Sequence, residues 1–362
     1  MPALDLTGFV RRALDDGLIA LGRLDGVATT LPDVNLLLYS YVRKEAVLSS
    51  QIEGTQSTLN DLLAHELGQP AGVPVEDVAE VSRYVESMTH GLQRLRLGFP
   101  LCNRLLREMH GILLAGGRGA EKLPGEFRKS QNWIGGTRPG AAAFVPPPPQ
   151  EVEPCMAALE QFLHSDTPVI VKAALAHAQF ETIHPFLDGN GRIGRLLVTL
   201  LLCHDGVLRE PLLYPSLYLK QHRQQYYAEL NAVRETGDFE RWLEFFATAV
   251  RVSAEQAVTT ARRIFSIFQE DRAAIREIGR LAPTVLLVQE AMQAKPATTV
   301  AKLKDATGLT TPTVGQALRE LERLGIAQET TGRARDRIFA YRRYMDALNA
   351  EDEAAQGSTD GG

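Results

Sequence analysis

The twelve residues His184–Arg195, His-Pro-Phe-Leu-Asp-Gly-Asn-Gly-Arg-Ile-Gly-Arg, constrain the fold more than any other stretch of the chain. They separate two apolar helical runs, one opening at Asp166-Thr167-Pro168 and ending near Ile183, the other spanning Arg192–Cys203. The second run is apolar nearly all round, the pattern of a helix at the centre of a core. Pro185 disfavours the α region at His184, so the first helix has to stop there. Gly189, Asn190 and Gly191 tolerate positive φ and can turn successive amides toward one point. The next helix starts at once, with its own unpaired amides facing the same space. A helix–loop–helix at the core is expected, with an anion cradle at its turn.

The charges in the loop sharpen that expectation. Arg192 and Arg195 stand at i and i+3 on the first helical turn, where a cation opposes the helix dipole at a cost of about 0.3–1 kcal/mol each. A polyphosphate would supply the compensating partner. Asp188 beside it is a natural magnesium anchor, because Mg²⁺ takes one or two carboxylates together with phosphate oxygens. His184, with an ordinary pKa of about 6.5, can accept a proton near neutral pH.

The rest of the chain supports an all-α body. Helical periodicity covers 5–25, 33–66, 75–97 and 101–115, then 152–164, 216–235 and 238–280. Between them, 116–150 is glycine-rich and ends in Pro146–Pro149. There Gln131–Ile134 and Ala143–Val145 flank a turn and suggest a short hairpin. The net charge of −5 rules out a global field for nucleic acid, so such binding needs a local patch. The three cysteines have no CxxC spacing, which argues against a disulfide framework or zinc site. No apolar run approaches the roughly 20 residues that span a bilayer. With no signal pattern at the N-terminus, a cytoplasmic location and no membrane partner are expected.

The loop resembles the active-site motif of the Fic family, HPFxDGNGRxGR, and matches every specified position. Gly125-Glu126-Phe127-Arg128, Phe180-Glu181-Thr182-Ile183 and the stretch from Ser216 to Tyr227 extend the similarity over roughly residues 30–250. The resemblance implies a Fic helical core with a small β-hairpin flap, and a protein adenylyltransferase using ATP and Mg²⁺. In it, His184 would deprotonate a Tyr, Thr or Ser hydroxyl of a target protein. Phe186 would anchor the loop in the core and Asp188 would hold the metal. Gly189, Asn190 and Gly191 would bind phosphate oxygens, and Arg192 and Arg195 would clamp the distal phosphates. Tyr226 or Tyr227 would line the adenine pocket, and the target would lie on the 131–145 flap by strand addition.

Ser49-Ser50-Gln51-Ile52-Glu53-Gly54 fits the family's inhibitory pattern, a Ser or Thr four residues before Glu-Gly. Ser49 and Glu53 then share one helix face, and Gly54 suits the end of a turn. The resemblance implies that Glu53 pairs with Arg195 and withholds it from the γ-phosphate. Residues Val300–Tyr341 resemble a winged helix-turn-helix, with Lys302, Lys304, Arg319, Arg323, Arg333, Arg335 and Arg337 as phosphate contacts. Acidic neighbours dilute that patch, leaving DNA and protein as open alternatives for its partner, a second copy of the chain included. The expected domains are an N-terminal helical region 1–100, a core 101–250, a connecting helix 251–282, a winged helix 283–348 and a disordered tail 349–362. The activities competing with AMP transfer are AMP removal, another nucleotide donor, and nucleotide sensing by a DNA-binding regulator. His204-Asp205 reads as a helix-end pair, His177 as a core residue, and Gly116–Gly119 lacks the Lys-Ser/Thr of a P-loop.

Overall fold

The computed structural model describes residues 4–30, 35–70, 72–116, 119–136, 138–333 and 336–357. Arg335, Gly117, Arg118 and the last five residues, named above, lie outside the described residues. The main body is helical apart from the irregular stretch 114–148. In order come α1 (Gly8–Thr30), α2 (Asn35–Ile52), α3 (Leu59–Glu66), α4 (Val75–Arg96), α5 (Asn103–Leu113), α6 (Pro149–Leu163), α7 (Val169–Ile183) and α8 (Asn190–His204). They are followed by α9 (Ser216–Gln221), α10 (Arg223–Thr236) and the 38-residue α11 (Phe239–Arg276).

α8 is the hub. Ile193, Leu196, Leu197, Val198 and Leu200–Leu202 are buried on all its faces, each such side chain contributing roughly 1.5–3 kcal/mol. It packs against α7, α4, α5 and α2, while α1 lies along α11 and α11 crosses α7. Trp242 of α11 is fully buried and donates its indole N–H to the Ala174 carbonyl of α7 at 2.8 Å.

Several expected boundaries move. The helical pattern over 33–66 breaks after Ile52, because Thr58 starts a new helix with a capping box to Asp61. α7 starts after Pro168, with no side-chain cap from Asp166. In the 131–145 stretch a single bridge, Ile134–Phe144, replaces a full hairpin among the described residues, and Thr137 lies outside them. Residues 251–276 continue α11 without a break, so the expected limit at 250 falls inside one helix.

The C-terminal region holds α12 (Ala282–Ala294), β1 (Ala297–Thr299), α13 (Val300–Thr307), α14 (Thr311–Arg323), β2 (Ala327–Glu329), β3 (Ile338–Tyr341) and α15 (Arg342–Gly357). The three strands form one antiparallel sheet in the order β1-β3-β2. The tail expected to be disordered from 349 is helical as far as Gly357, continuing α15, whose start packs on α11. α15 also meets α2. The Tyr344 hydroxyl lies 2.8 Å from both the Leu36 carbonyl and Ser40 Oγ, and buried Lys44 donates to the Leu348 carbonyl at 2.6 Å. Two of the exposed basic residues make surface bonds to the N-terminal helical region: Lys302 donates to the Glu66 carbonyl and Arg333 to Gln69.

Candidate active site

The site sits where α7 ends and α8 begins. His184 caps α7 in the left-handed region, at φ 49° and ψ 60°, a conformation non-glycine residues rarely adopt. Arg128 holds it there. Its buried guanidinium donates to the carbonyls of His184 (2.9 Å), Ile183 (3.3 Å), Ser130 and Pro147, and its amide donates to Pro185 O at 2.8 Å. A fixed cation thus meets the carbonyl end of α7, where the helix dipole favours one.

The loop is stapled from within. Asn190 accepts from the Phe186 amide (2.8 Å) and donates to its carbonyl (2.9 Å), and Asn132 donates to the same carbonyl at 2.9 Å. Asn190 therefore shapes the loop, and its side chain is committed there rather than turned toward a phosphate. Phe186 is fully buried and stacks on His110, with centroids 3.7 Å apart. His110 Nδ1 accepts from the Gly125 amide, so its Nε2–H donates to the Asp188 carbonyl at 3.0 Å. Burial pushes its pKa down to about 4, which keeps that neutral tautomer.

Gly189 starts α8 at φ 77°, and its amide donates to Asp188 Oδ1 at 2.6 Å. The amides of Asn190 and Gly191 belong to the first turn, where helical amides have no carbonyl one turn back. The Asp188 side chain is 41% exposed at the rim of the loop.

Both arginines already have carboxylate partners. Arg192, buried, pairs with Glu80 of α4 at 2.5 Å and lies 3.5 Å from Asp188. Arg195 is 1% exposed; its Nε donates to Ser49 Oγ (2.8 Å), and its Nη2 to the Ser49 carbonyl (3.0 Å) and to Glu53 Oε1 (2.7 Å). The compensation for cations at this helix start, expected from a polyphosphate, thus comes from the protein. Burial raises the Glu53 carboxyl, but Arg195, with Arg192 and His184, outweighs it and holds the pKa below its ordinary value. Burial also opposes the Arg195 charge, and Glu53 outweighs that, raising the guanidinium pKa. A Cβ at Gly191 would fall 2.2 Å from Glu53 Oε1, so Glu53 presses directly on the first turn of α8. Gly54, at φ 104°, closes the turn that carries it there.

The remaining expected residues divide. Tyr226 is buried, and its hydroxyl donates to His177 Nε2 at 2.8 Å while His177 Nδ1–H donates to the Gly194 carbonyl at 2.9 Å. Tyr226 therefore braces α8 from behind rather than presenting its ring to a pocket. Tyr227 is half-buried beside it, with ring centroids 5.1 Å apart. Glu80, His110, Arg128 and Asn132 were missed as contributors. Gly125-Glu126-Phe127-Arg128 was the one usable signal among them, as a resemblance without a role.

A helical body that buries a His-to-Arg loop between its two central helices, with an N-terminal helix laid across the loop, defines one class of fold. The chain belongs to the Fic/DOC family: the models described as Fic/DOC family N-terminal and Fic/DOC family match residues 11–93 and 100–202, together just over half of it. Among curated relatives, the protein adenylyltransferase Fic of Aedes aegypti is 40% identical over 128 residues, 34% of this chain and 23% of that protein. That of Drosophila grimshawi is 39% identical over the same shares. The chain therefore spans about a quarter of the length of these relatives. Among solved structures, a Fic family protein from Desulfovibrio desulfuricans G20 is similar with a TM-score of 0.62 and 21% identity, covering 94% of this chain and 98% of its own. Fic-1 of C. elegans is similar with a TM-score of 0.52 and 21% identity, covering 69% and 71%. These two likenesses concern the fold. No helix among the described residues is long and apolar enough to cross a membrane.

Proposed function

We propose that this chain is a protein adenylyltransferase that moves AMP from ATP to a Tyr, Thr or Ser hydroxyl of a target protein. The carrying observation is the loop itself, which brings a largely buried imidazole, a rim carboxylate and the open first turn of α8 into one place. Relatives named protein adenylyltransferase Fic support the donor and the transfer. Burial pushes the His184 pKa down to about 4, with Arg234 and Arg128 adding repulsion, so the ring is neutral at physiological pH and has a lone pair to offer. The hydroxyl proton passes to His184, and the oxygen attacks the α-phosphorus. Pyrophosphate departs with the bonding electron pair.

The donor set fits magnesium bound through one carboxylate. Asp188 is exposed enough to reach it, and no group of three or more His, Cys, Asp or Glu among the described residues could hold a metal alone. Phosphate oxygens would complete the shell. When bound, the ion would offset the phosphate charge.

On this reading Glu53 is a brake, since its carboxylate occupies Arg195 and crowds the turn that phosphate needs. The bridge at Ile134–Phe144 supports a flap for an extended target segment. The C-terminal element order supports a winged helix, for which the bonds of Lys302 and Arg333 to Glu66 and Gln69 of the same chain favour a protein-facing role over DNA. His184→Ala tests the central claim. It should abolish AMP incorporation from α-labelled ATP while ATP binding persists; a variant that still labels itself or a target removes His184 as the base.

A further inference from the structure

We propose that Glu181 is a positioning residue for His184: its carboxylate faces the buried Nδ1 of the imidazole and fixes the ring for proton transfer at Nε2. The inference rests on the reading of His184 as the base. Glu181 lies three residues earlier, on the last turn of α7, and the left-handed cap at His184 leaves the two side chains near each other. Oε2 is 3.8 Å from His184 Nδ1, and the Glu181 side chain is 8% exposed. Glu181 Oε1 and His184 Nδ1 are both buried without a hydrogen-bond partner among the described residues. Leaving His184 Nδ1 buried without a partner is costly, and a modest closure brings Oε2 onto it; catalytic bonds are often long before substrate binds. α8 leaves room for the carboxylate only because residue 194 is glycine, where a Cβ would fall 2.9 Å from Oε1.

The main-chain carbonyl of Glu181 also faces the ring, but it already accepts from Arg234 Nη2 at 3.0 Å. Carbonyl and carboxylate can only accept, so Nδ1 carries the proton and Nε2 keeps its lone pair. When the target hydroxyl gives its proton to Nε2, the resulting imidazolium directs Nδ1–H at the carboxylate, and no proton need move to Glu181. The other groups facing Glu181 are Arg195 from α8, Arg234 and the Tyr226 hydroxyl from α10, and Glu53 beyond α2; on α7, His177 is kept neutral by burial. Burial raises the Glu181 carboxyl to about 7, so its ionisation falls in the working range.

The test compares the unaltered chain with Glu181→Gln, which retains the shape and the main-chain carbonyl and removes the charge. Imidazole ¹⁵N spectra of His-labelled protein, with the ring assigned by His184→Ala, should show the His184 signals responding near pH 7 in the unaltered chain and not in Glu181→Gln. In the Glu53→Gly background, Glu181→Gln should lower AMP incorporation at neutral pH about 10-fold or more, the worth of a charge-assisted bond. The KM for ATP should hold, and the acidic limb of the pH profile, lying below 7 in this background because Glu53 no longer raises the Glu181 carboxyl, should disappear. Glu181→Asp should restore part of the limb. Identical His184 titrations with and without the carboxylate overturn the proposal, as does an unchanged pH profile. Absence of transfer in every variant, with the ring response intact, would strike the AMP-transfer reading and leave the pair standing.

Discussion

Arg195 makes the most consequential contact of any single side chain in the protein. Its Nε and Nη2 are taken by Ser49 and Glu53, and it is closed off from solvent. A charge-assisted pair of this kind contributes about 1.5–3 kcal/mol, so losing it should favour a productive donor pose roughly tenfold or more. Glu53→Gly should raise initial AMP incorporation at saturating ATP. Arg195→Ala should not, and the double variant should match Arg195→Ala. A folded Glu53→Gly protein with lower activity would mean that Glu53 assists the chemistry, as AMP removal would require. Because the Glu53 pKa is depressed, the ion pair is complete above the ordinary carboxylate range and weakens as pH falls through the lowered value.

Among elements, the C-terminus of α7 is held from outside, by Arg234 at the Glu181 carbonyl and above all by Arg128. Arg128 bonds the carbonyls of Ile183 and His184; without it the His184 carbonyl keeps only a 3.5 Å contact from Asn132 Nδ2. Arg128→Met should therefore cost about 3 kcal/mol, read as a lower denaturant midpoint. It should also lower AMP transfer by more than that stability loss explains, since His184 loses the support for its left-handed backbone. Equal losses across a distant control such as Arg251→Met would refute this. The same element shows what a sequence can disclose. Pro185 and the glycines announce where α7 stops and α8 starts, and the arginine pair announces charge in need of a partner. Which partner is another matter. Glu80 lies 112 positions from Arg192 and Arg128 lies 56 from His184, and no local period encodes such pairings. Tyr226 shows another limit: whether a ring faces solvent or the core depends on helix rotation, and here it is buried against His177.

For the whole molecule, buried acid couples folding to pH. Glu45 of α2 is fully enclosed, accepting from the Ser216 amide (3.2 Å) and hydroxyl (2.5 Å) and from Tyr84 (3.3 Å). Burial pushes its carboxyl from an ordinary value near 4.5 up to about 7. The folded state then holds a proton that the unfolded chain has released, so this group destabilises progressively as pH rises from about 4.5 to 7. Glu45→Gln should flatten the fall in melting temperature across that window; an unchanged slope would show that the carboxyl is ionised when folded. α11 sets a different kind of limit. At 1.5 Å per residue its 38 residues form a rod about 57 Å long, bonded to the helical body at one end and to the C-terminal sheet region at the other. Such a girder transmits direction. A partner gripped by the C-terminal domain would not swing on a tether but would be presented to the loop at a set bearing, so choosing a target becomes a matter of aim as well as of affinity.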